Sequence, residues 1–548
     1  MLALVVMTAM TANLTAPGST AADSGRPTSA QRPKAEPLTP EELQAARKRA
    51  AGRKRRIVFH SDGMAMDPEK RYLESSPCVF PHIPGSQTDA CTYSLIHQFA
   101  VARHYRSKMA QEWPPGIMEK LYGDGPDGLD SYIDFCRKNG YEAFWAMRMN
   151  DTHDASDTEH GRRRWNSNKW KQEHPEYLMG TRDTPTPYGA RTAVDYAQLE
   201  VRELVFRILE EVCQNYDIDG LLLDFFRHLP TFKTTVMGGE ATAEEVEMMN
   251  ELFRRLRAMI DEVGAKRGRP ILLAVRTPDS AGYARALGLD VEQWMKQRLI
   301  DIWVAGGYFR LQEWNDTVAM GHKYGVQVWA SIDESRVRDR DNRNSLEAYR
   351  ARVMNAWNAG VDAVWLFNFF YSPDDPQFKL LFEAGDPEAL AFTDKMYVAD
   401  ARGRGNAQRD LKGGERFFTR PMTFSPENPI TLERGESATV DLLVGDDVTG
   451  AKDKGYTATV TLRIRASPGT DKDDLIVRLN DRVLSDGTRS GNWVEYELSP
   501  TIVMNGTNRI DISRDGRAKA DPVLRDLQLW IRYEAHQSTQ KDRPQWNS

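Results

Sequence analysis

The stretch VRELVFRILEEVCQNYDIDGLLLDFFRH, Val201–His228, decides the fold. Residues 201–216 repeat apolar side chains at spacings of three and four with charges on the other face, the pattern of a helix that covers a core. After Asp219 and Gly220, the run Leu221–Leu223 reads as a buried strand that ends at Asp224. A covering helix that runs straight into a buried strand is the repeating half of a crossover connection between parallel strands.

Working outward, the same alternation recurs from Arg56 to about Tyr371. The predicted strands are IVFHSDG from Ile57, DACTYSLIHQ from Asp89, YEAFWAMRMND from Tyr141 and DGLLLDFFRH from Asp219. They continue with ILLAVRTPD from Ile271, IDIWVAGGYF from Ile300, VQVWASIDES from Val326 and DAVWLFNFF from Asp362. Gly325 and Gly360 each stand just before a strand, a helix-ending signal repeated from unit to unit. Eight such units predict an α/β protein of the (β/α)8 TIM-barrel type. A doubly wound open sheet is the alternative, but no GxGxxG or GxxxxGK[ST] loop follows the first strand.

The texture changes near Asp400. Alternating runs such as ATVDLLVG, YTATVTLRIRA and LRDLQLWIRYE, separated by Gly, Asn and Asp, predict an antiparallel β-sandwich. The expected domains are a signal peptide at 1–22, a disordered linker at 23–55, the barrel at 56–395, a second linker at 396–415, the sandwich at 416–535 and a polar tail. The apolar run at the N-terminus is too short to span a bilayer, so the expectation is a secreted or periplasmic protein without a membrane span.

Composition narrows the function. The 548 residues are 40% hydrophobic and 28% charged with a net charge of -6, which excludes a disordered chain and argues against nucleic acid as a partner. Cys78, Cys91, Cys136 and Cys213 form no CxxC pair, so no zinc ribbon or dithiol motif is expected; only Cys78 with Cys91 could form a disulfide. The 13 tryptophans are generous and fit a sugar-binding protein; Trp165 and Trp170, in a polar stretch read as a loop, are the preferred platforms, with Trp113, Trp145 and Trp493 behind them.

In a barrel the active groups sit at the C-terminal ends of the strands. Those ends carry His60 and Asp62, then His97, then Arg148, Asn150, Asp151, His153 and Asp154, then Asp224, Arg227 and His228. Further on come Arg276, Tyr308, Asp333 with Glu334, and Asn368. Asp224 is the leading carboxylate. Beside Phe225 and Phe226 it suits an acid, and beside Arg227 a nucleophile or base; it could also be a salt-bridge partner of Arg227 or Arg276 that only orders the strand end. Glycoside hydrolysis needs a second carboxylate across the mouth. Adjacent strand residues point in different directions, so only one of Asp333 and Glu334 would face a sugar, and Glu334 is preferred; both could instead cap the following helix.

At DYAQLEVRELVFRILEEVCQNYDIDGLLLDFFRHLP, residues 195–230, preceded by RMNDTHD and HPEYLMG, the chain resembles the glycosyl-hydrolase-like barrels of polysaccharide-degrading bacteria. The resemblance covers roughly residues 56–372 and implies that Asp224 is a catalytic or substrate-binding carboxylate. Chitinase-type barrels have a related DGxDxDxE strand, but Leu222 and Phe226 stand here in place of its second Asp and its Glu.

The expected activity is therefore hydrolysis of a polysaccharide or oligosaccharide by two carboxylates, Asp224 and Glu334 or Asp333. The other strand-end groups, with Trp165 and Trp170, would bind substrate, and no cofactor or metal is expected. The alternatives are a non-catalytic glycan-binding barrel, or a metal-dependent hydrolase using His60, Asp62, His97 and the 151–154 cluster.

Overall fold

The computed structural model describes residues 35–62, 82–184, 186–333, 337, 342–399, 410–420, 423–426 and 428–536. Its centre is a closed barrel of eight parallel strands. They are β1 (Ile57–Ser61), β2 (Thr88–His97), β3 (Glu142–Arg148), β4 (Gly220–Asp224), β5 (Leu272–Thr277), β6 (Ile302–Ala305), β7 (Gln327–Ile332) and β8 (Ala363–Phe367). Each pairs with the next in sequence, and β8 closes on β1. All eight predicted strands are present, and the expected barrel followed by a sandwich is the observed architecture.

Strand parity sorts the core into two layers. Val58, Ala90, Phe144, Ala146, Leu222, Leu272, Ala274, Ile302, Val304, Trp329, Ala363 and Trp365 form one buried cluster, the filling of the barrel. Residues of opposite parity, such as Phe59, Leu221, Leu223 and Trp303, join the larger cluster beneath the surrounding helices. The helix Leu199–Asn215 buries Val201, Val205, Ile208, Leu209, Val212 and Cys213, the stripe its periodicity predicts. Gly325 and Gly360 have φ of +70° and +85° where their helices end, a conformation that costs glycine little.

The linker expected at 23–55 is wrong over its last part. Pro40–Ala51 is a helix whose N-terminus is closed by a reciprocal pair: the Thr39 side chain accepts from the Glu42 amide, and Glu42 accepts from the Thr39 amide. Arg47 ties it to the barrel through Asp301 at 2.6 Å. The expected signal peptide, Cys78, Glu334 and the tail from residue 537 lie outside the described residues. Cys91 is a free buried thiol, as are Cys136 and Cys213. No helix among the described residues is long and apolar enough to cross a membrane.

The sandwich has two antiparallel sheets, one built on Val523–Ala535 and Tyr456–Ala466, the other on Ser437–Val444 and Gly506–Arg514. Lys395–Val398, at the expected junction of barrel and linker, is an edge strand of the first sheet, paired with Gln528–Ile531. The sandwich packs on the helix Leu346–Asn358. There Asn355 and Asn358 donate to the carbonyls of Leu443 and Gly445 at 3.1 and 2.6 Å.

Candidate active site

Inner-face parity carries past the apolar filling to the C-terminal rim, so His60, Thr92, Arg148, Asp224, Arg276 and Phe367 fall on the interior side. The register sets Arg148, Asp224 and Arg276 side by side on β3, β4 and β5. Asp224 Oδ2 accepts from Arg276 Nη1 at 3.0 Å, and Oδ1 accepts from the amides of Phe226 and Arg227 at 2.9 and 3.0 Å. Every contact of this buried carboxylate is thus a donor. Arg276 is fully buried and lies over the rings of Trp365 and Phe367 at 4.7 and 4.6 Å. Burial opposes its charge, but Asp224, Tyr308 and Asp333 outweigh that and raise its pKa.

Asp333 continues the inward parity of Trp329 and Ser331, is buried, and acts electrostatically on Arg276. Continuing the strand parity past Ile332 places Asp333 on the interior side; Glu334, which the sequence reading preferred, lies outside the described residues.

A second ion network joins β1 to β3. Arg148 pairs with Asp62 Oδ2 at 3.1 Å and with Asp151 Oδ2 at 2.8 Å, and Asp151 Oδ2 also accepts from the Gln98 amide at 3.1 Å. Burial works against ionisation of Asp62, but Arg148 and Arg227 outweigh it and hold the carboxyl below the ordinary range. At Asp151 burial is likewise outweighed, by His153 and Arg148, and the carboxyl sits well below its usual value. The Asp62 amide donates to Asn368 Oδ1 at 2.9 Å. Asn368 has φ +49°, a region asparagine tolerates better than most residues.

Arg227 links this network to a cavity of about 520 Å³ whose walls include Thr152, Phe226, His228, Tyr308 and Phe309. Its Nη2 lies 2.7 Å from His153 Nε2, its Nη1 bonds Tyr308 Oη at 2.5 Å, and its Nε is 3.4 Å from Asp62 Oδ2. Because Arg227 can only donate, His153 Nε2 is the acceptor and Nδ1 carries the proton that bonds Asp151. Asp151–His153 is therefore an oriented imidazole of fixed tautomer at the cavity edge. His228 Nδ1 accepts from the Thr152 amide at 3.4 Å.

Burial, as the largest cause, holds His60, His97, His153 and His228 below the ordinary histidine value. The unfolded chain takes up protons at these histidines as pH falls through about 6.5, and the folded chain does not. Stability is expected to be lost below about pH 6.5 at about 1.4 kcal/mol per pH unit for each histidine that resists protonation. Urea unfolding midpoints from about pH 7.5 to 5.5 check this; an unchanged midpoint would refute it.

Several predicted binding residues are wholly or partly buried, most of them with contacts inside the protein. Asn150 bridges two loops, donating to Val194 and Pro230 carbonyls and accepting from the Val194 amide at 2.8 Å. Asp154 is locked between Lys171 Nζ at 3.0 Å and Thr192 Oγ1 at 2.6 Å, and burial raises its pKa. Trp165 and Trp170 are on helices Glu159–Asn166 and Lys169–Glu173, not in a loop. Both are half-buried: Trp165 lines a small second cavity, and Trp170 packs on Phe99 and Tyr177 at 5.3 and 5.9 Å. Trp145 is fully buried. His60 Nδ1 lies 2.7 Å from Thr92 Oγ1, and its ring stacks on Phe367 and meets Trp365 at a tilt of 32°. His97 is buried with neither ring nitrogen partnered.

The sequence reading missed Arg103. Val101–Ala102 doubles back antiparallel onto Ile96–His97, and this return carries Arg103 to the mouth. The turn uses positive φ at Gln98 (+44°) and Phe99 (+77°), non-glycine residues that give no turn signal in sequence.

No protein-family model matches the chain, and no curated protein does. Solved structures similar to it include glycoside-active barrels. A maltogenic α-amylase, AmyB from Thermotoga neapolitana, is 12% identical, with 81% of this chain and 96% of that chain covered and a TM-score of 0.37. The GH36 α-galactosidase AgaA from Geobacillus stearothermophilus is 11% identical, covering 88% and 56%, with a TM-score of 0.37. The cycloisomaltooligosaccharide glucanotransferase from Paenibacillus sp. is 8% identical, covering 87% and 57%, with a TM-score of 0.33. The chain spans little more than half the length of the last two.

Proposed function

We propose that the chain is a glycoside hydrolase that binds a polysaccharide or oligosaccharide at the C-terminal mouth of the barrel, with Asp224 and Asp333 as the working carboxylates. One observation carries this reading: the β4 carboxylate Asp224 bonds the buried Arg276, and the buried Asp333 after β7 acts electrostatically on the same arginine, beside a cavity walled by Phe226, Tyr308 and Phe309. Glycosidic cleavage asks for paired carboxylates across a mouth, and sugar rings pack on aromatic faces. Asp224, which meets only donors, suits the anionic partner that attacks or activates water. The inward end of β7 would serve the leaving oxygen. Export from the cell, read from the N-terminal sequence, belongs to the same proposal.

Purified chain incubated with a panel of polysaccharides should release reducing ends from at least one, and Asp333→Asn should abolish that release. Binding without release by the folded chain would instead favour a non-catalytic glycan-binding barrel.

A metal-dependent hydrolysis reading has one observation in its favour: ligand atoms of Asp151, His153 and His228 lie within 4.8 Å of one another. Against it, Arg227 and Arg148 already bond His153 and Asp151, so a cation would enter beside two guanidinium groups. Loss of activity with a chelator and its return with zinc would favour this second reading.

A further inference from the structure

The two ion networks at the mouth differ in balance. Arg276 has the bonded carboxylate of Asp224, and Lys171 that of Asp154. Around Asp62 and Asp151, by contrast, four arginines gather: Arg148 and Arg227, which pair with them, and Arg103 and Arg164, which have no ion-pair partner among the described residues. Among the described residues no carboxylate lies within ion-pair distance of Arg103 or Arg164. Arg103 is 9% exposed, leaves Nε unpartnered and rests on the Trp113 ring at 4.8 Å. Arg164 Nε is also unpartnered. Both ring nitrogens of His97, on which Arg103 and Arg164 act electrostatically, and the side-chain amide of the adjacent Gln98 are buried and without hydrogen bonds. Gln98 is fixed there by its backbone bond to Asp151 and by Asn168 Nδ2, which donates to its carbonyl at 2.6 Å.

A buried guanidinium without a counter-ion is costly, and a buried amide and imidazole without partners add to that cost. The electrostatics agree. Burial, then Arg164 and Arg148, bring Arg103 down to about 10, and burial likewise lowers Arg164. A fold that keeps this arrangement gains only when something anionic and rich in acceptor oxygens arrives.

We propose that Arg103, Arg164, His97 and Gln98 form a subsite for an anionic substituent of the glycan, a sulfate ester or a uronate carboxylate. Arginine's planar fork suits either group, and the amide and imidazole complete the hydrogen bonds of an oxyanion. This inference rests on reading the mouth as a glycan site.

The test uses the full chain and two matched pairs of polymers: a sulfated galactan with its desulfated form, and polygalacturonate with its carboxyl-reduced form. Affinity electrophoresis should show one charged polymer bound about ten-fold or more tighter than its neutral counterpart, with a margin that shrinks as salt rises. The pair that shows the preference identifies the substituent. Arg103→Met, which keeps the stem on Trp113, and Arg164→Met should each reduce the preference about ten-fold while leaving the melting temperature unchanged or raised, since each removes an unpaired cation. Equal binding of charged and neutral polymers would overturn the subsite, as would variants that keep the preference or that melt much earlier. Reducing ends measured in the same samples separate the two readings. Charge preference without release defeats the hydrolase and leaves the subsite, whereas release without charge preference does the reverse.

Discussion

Asp224→Asn is expected to lower turnover by about three orders of magnitude and to destabilise the fold by about 3–5 kcal/mol. The two effects share one cause. Arg276 is fully buried over the rings of Trp365 and Phe367, and Asp224 is the carboxylate bonded to it, at 3.0 Å. Asparagine keeps an acceptor oxygen but no charge, so the buried guanidinium loses the carboxylate it is bonded to. A double replacement, Asp224→Asn with Arg276→Met, removes both charges and is expected to recover most of the stability but none of the activity. Urea unfolding of the two variants checks the first claim, and initial rates on whichever polysaccharide the wild type cleaves check the second. An Asp224→Asn protein with wild-type turnover would remove Asp224 from the chemistry. One with wild-type stability would show that the ion pair contributes little.

Arg148→Met is expected to cost a comparable amount, about 3–5 kcal/mol, because one guanidinium serves two buried carboxylates. Its pH dependence distinguishes this from a simple packing loss. Asp62 and Asp151 are held below their ordinary values in the folded chain, Asp62 by Arg148 and then Arg227, Asp151 by His153 and then Arg148. A depressed carboxyl contributes stability that is present above its unfolded value, about 3.9, and is lost as pH falls through the folded value. The deficit of Arg148→Met relative to wild type should therefore be full at neutral pH and shrink as the solution is acidified below about pH 4. A deficit that stays constant across that range would show that the side chain acts by packing alone.

The barrel was legible because its signals are local. A strand such as Leu221–Leu223, a helix with a three-four stripe and a glycine before the next strand are each read within about twenty residues. Parity was partly legible too. Counting by twos from Leu222 reaches Asp224, and from Trp329 it reaches Asp333. Pro40–Ala51 was obscured by composition, since a Pro- and Ala-rich surrounding hid the capping pair of Thr39 and Glu42. Trp165 and Trp170 were placed in a loop because helices this short show too little periodicity to read.

By itself the sequence determined the (β/α)8 barrel, the sandwich that follows it and the residues standing at the strand ends, because periodicity and chain order are properties of neighbours along the chain. Which of those polar groups are paired was decided only by tertiary structure. Asp224 meets Arg276 across 52 residues, Asp62 meets Arg148 across 86, and Arg103 has no carboxylate among the described residues to meet it. Barrel closure sets those distances, and burial then makes each pairing, or its absence, energetically significant.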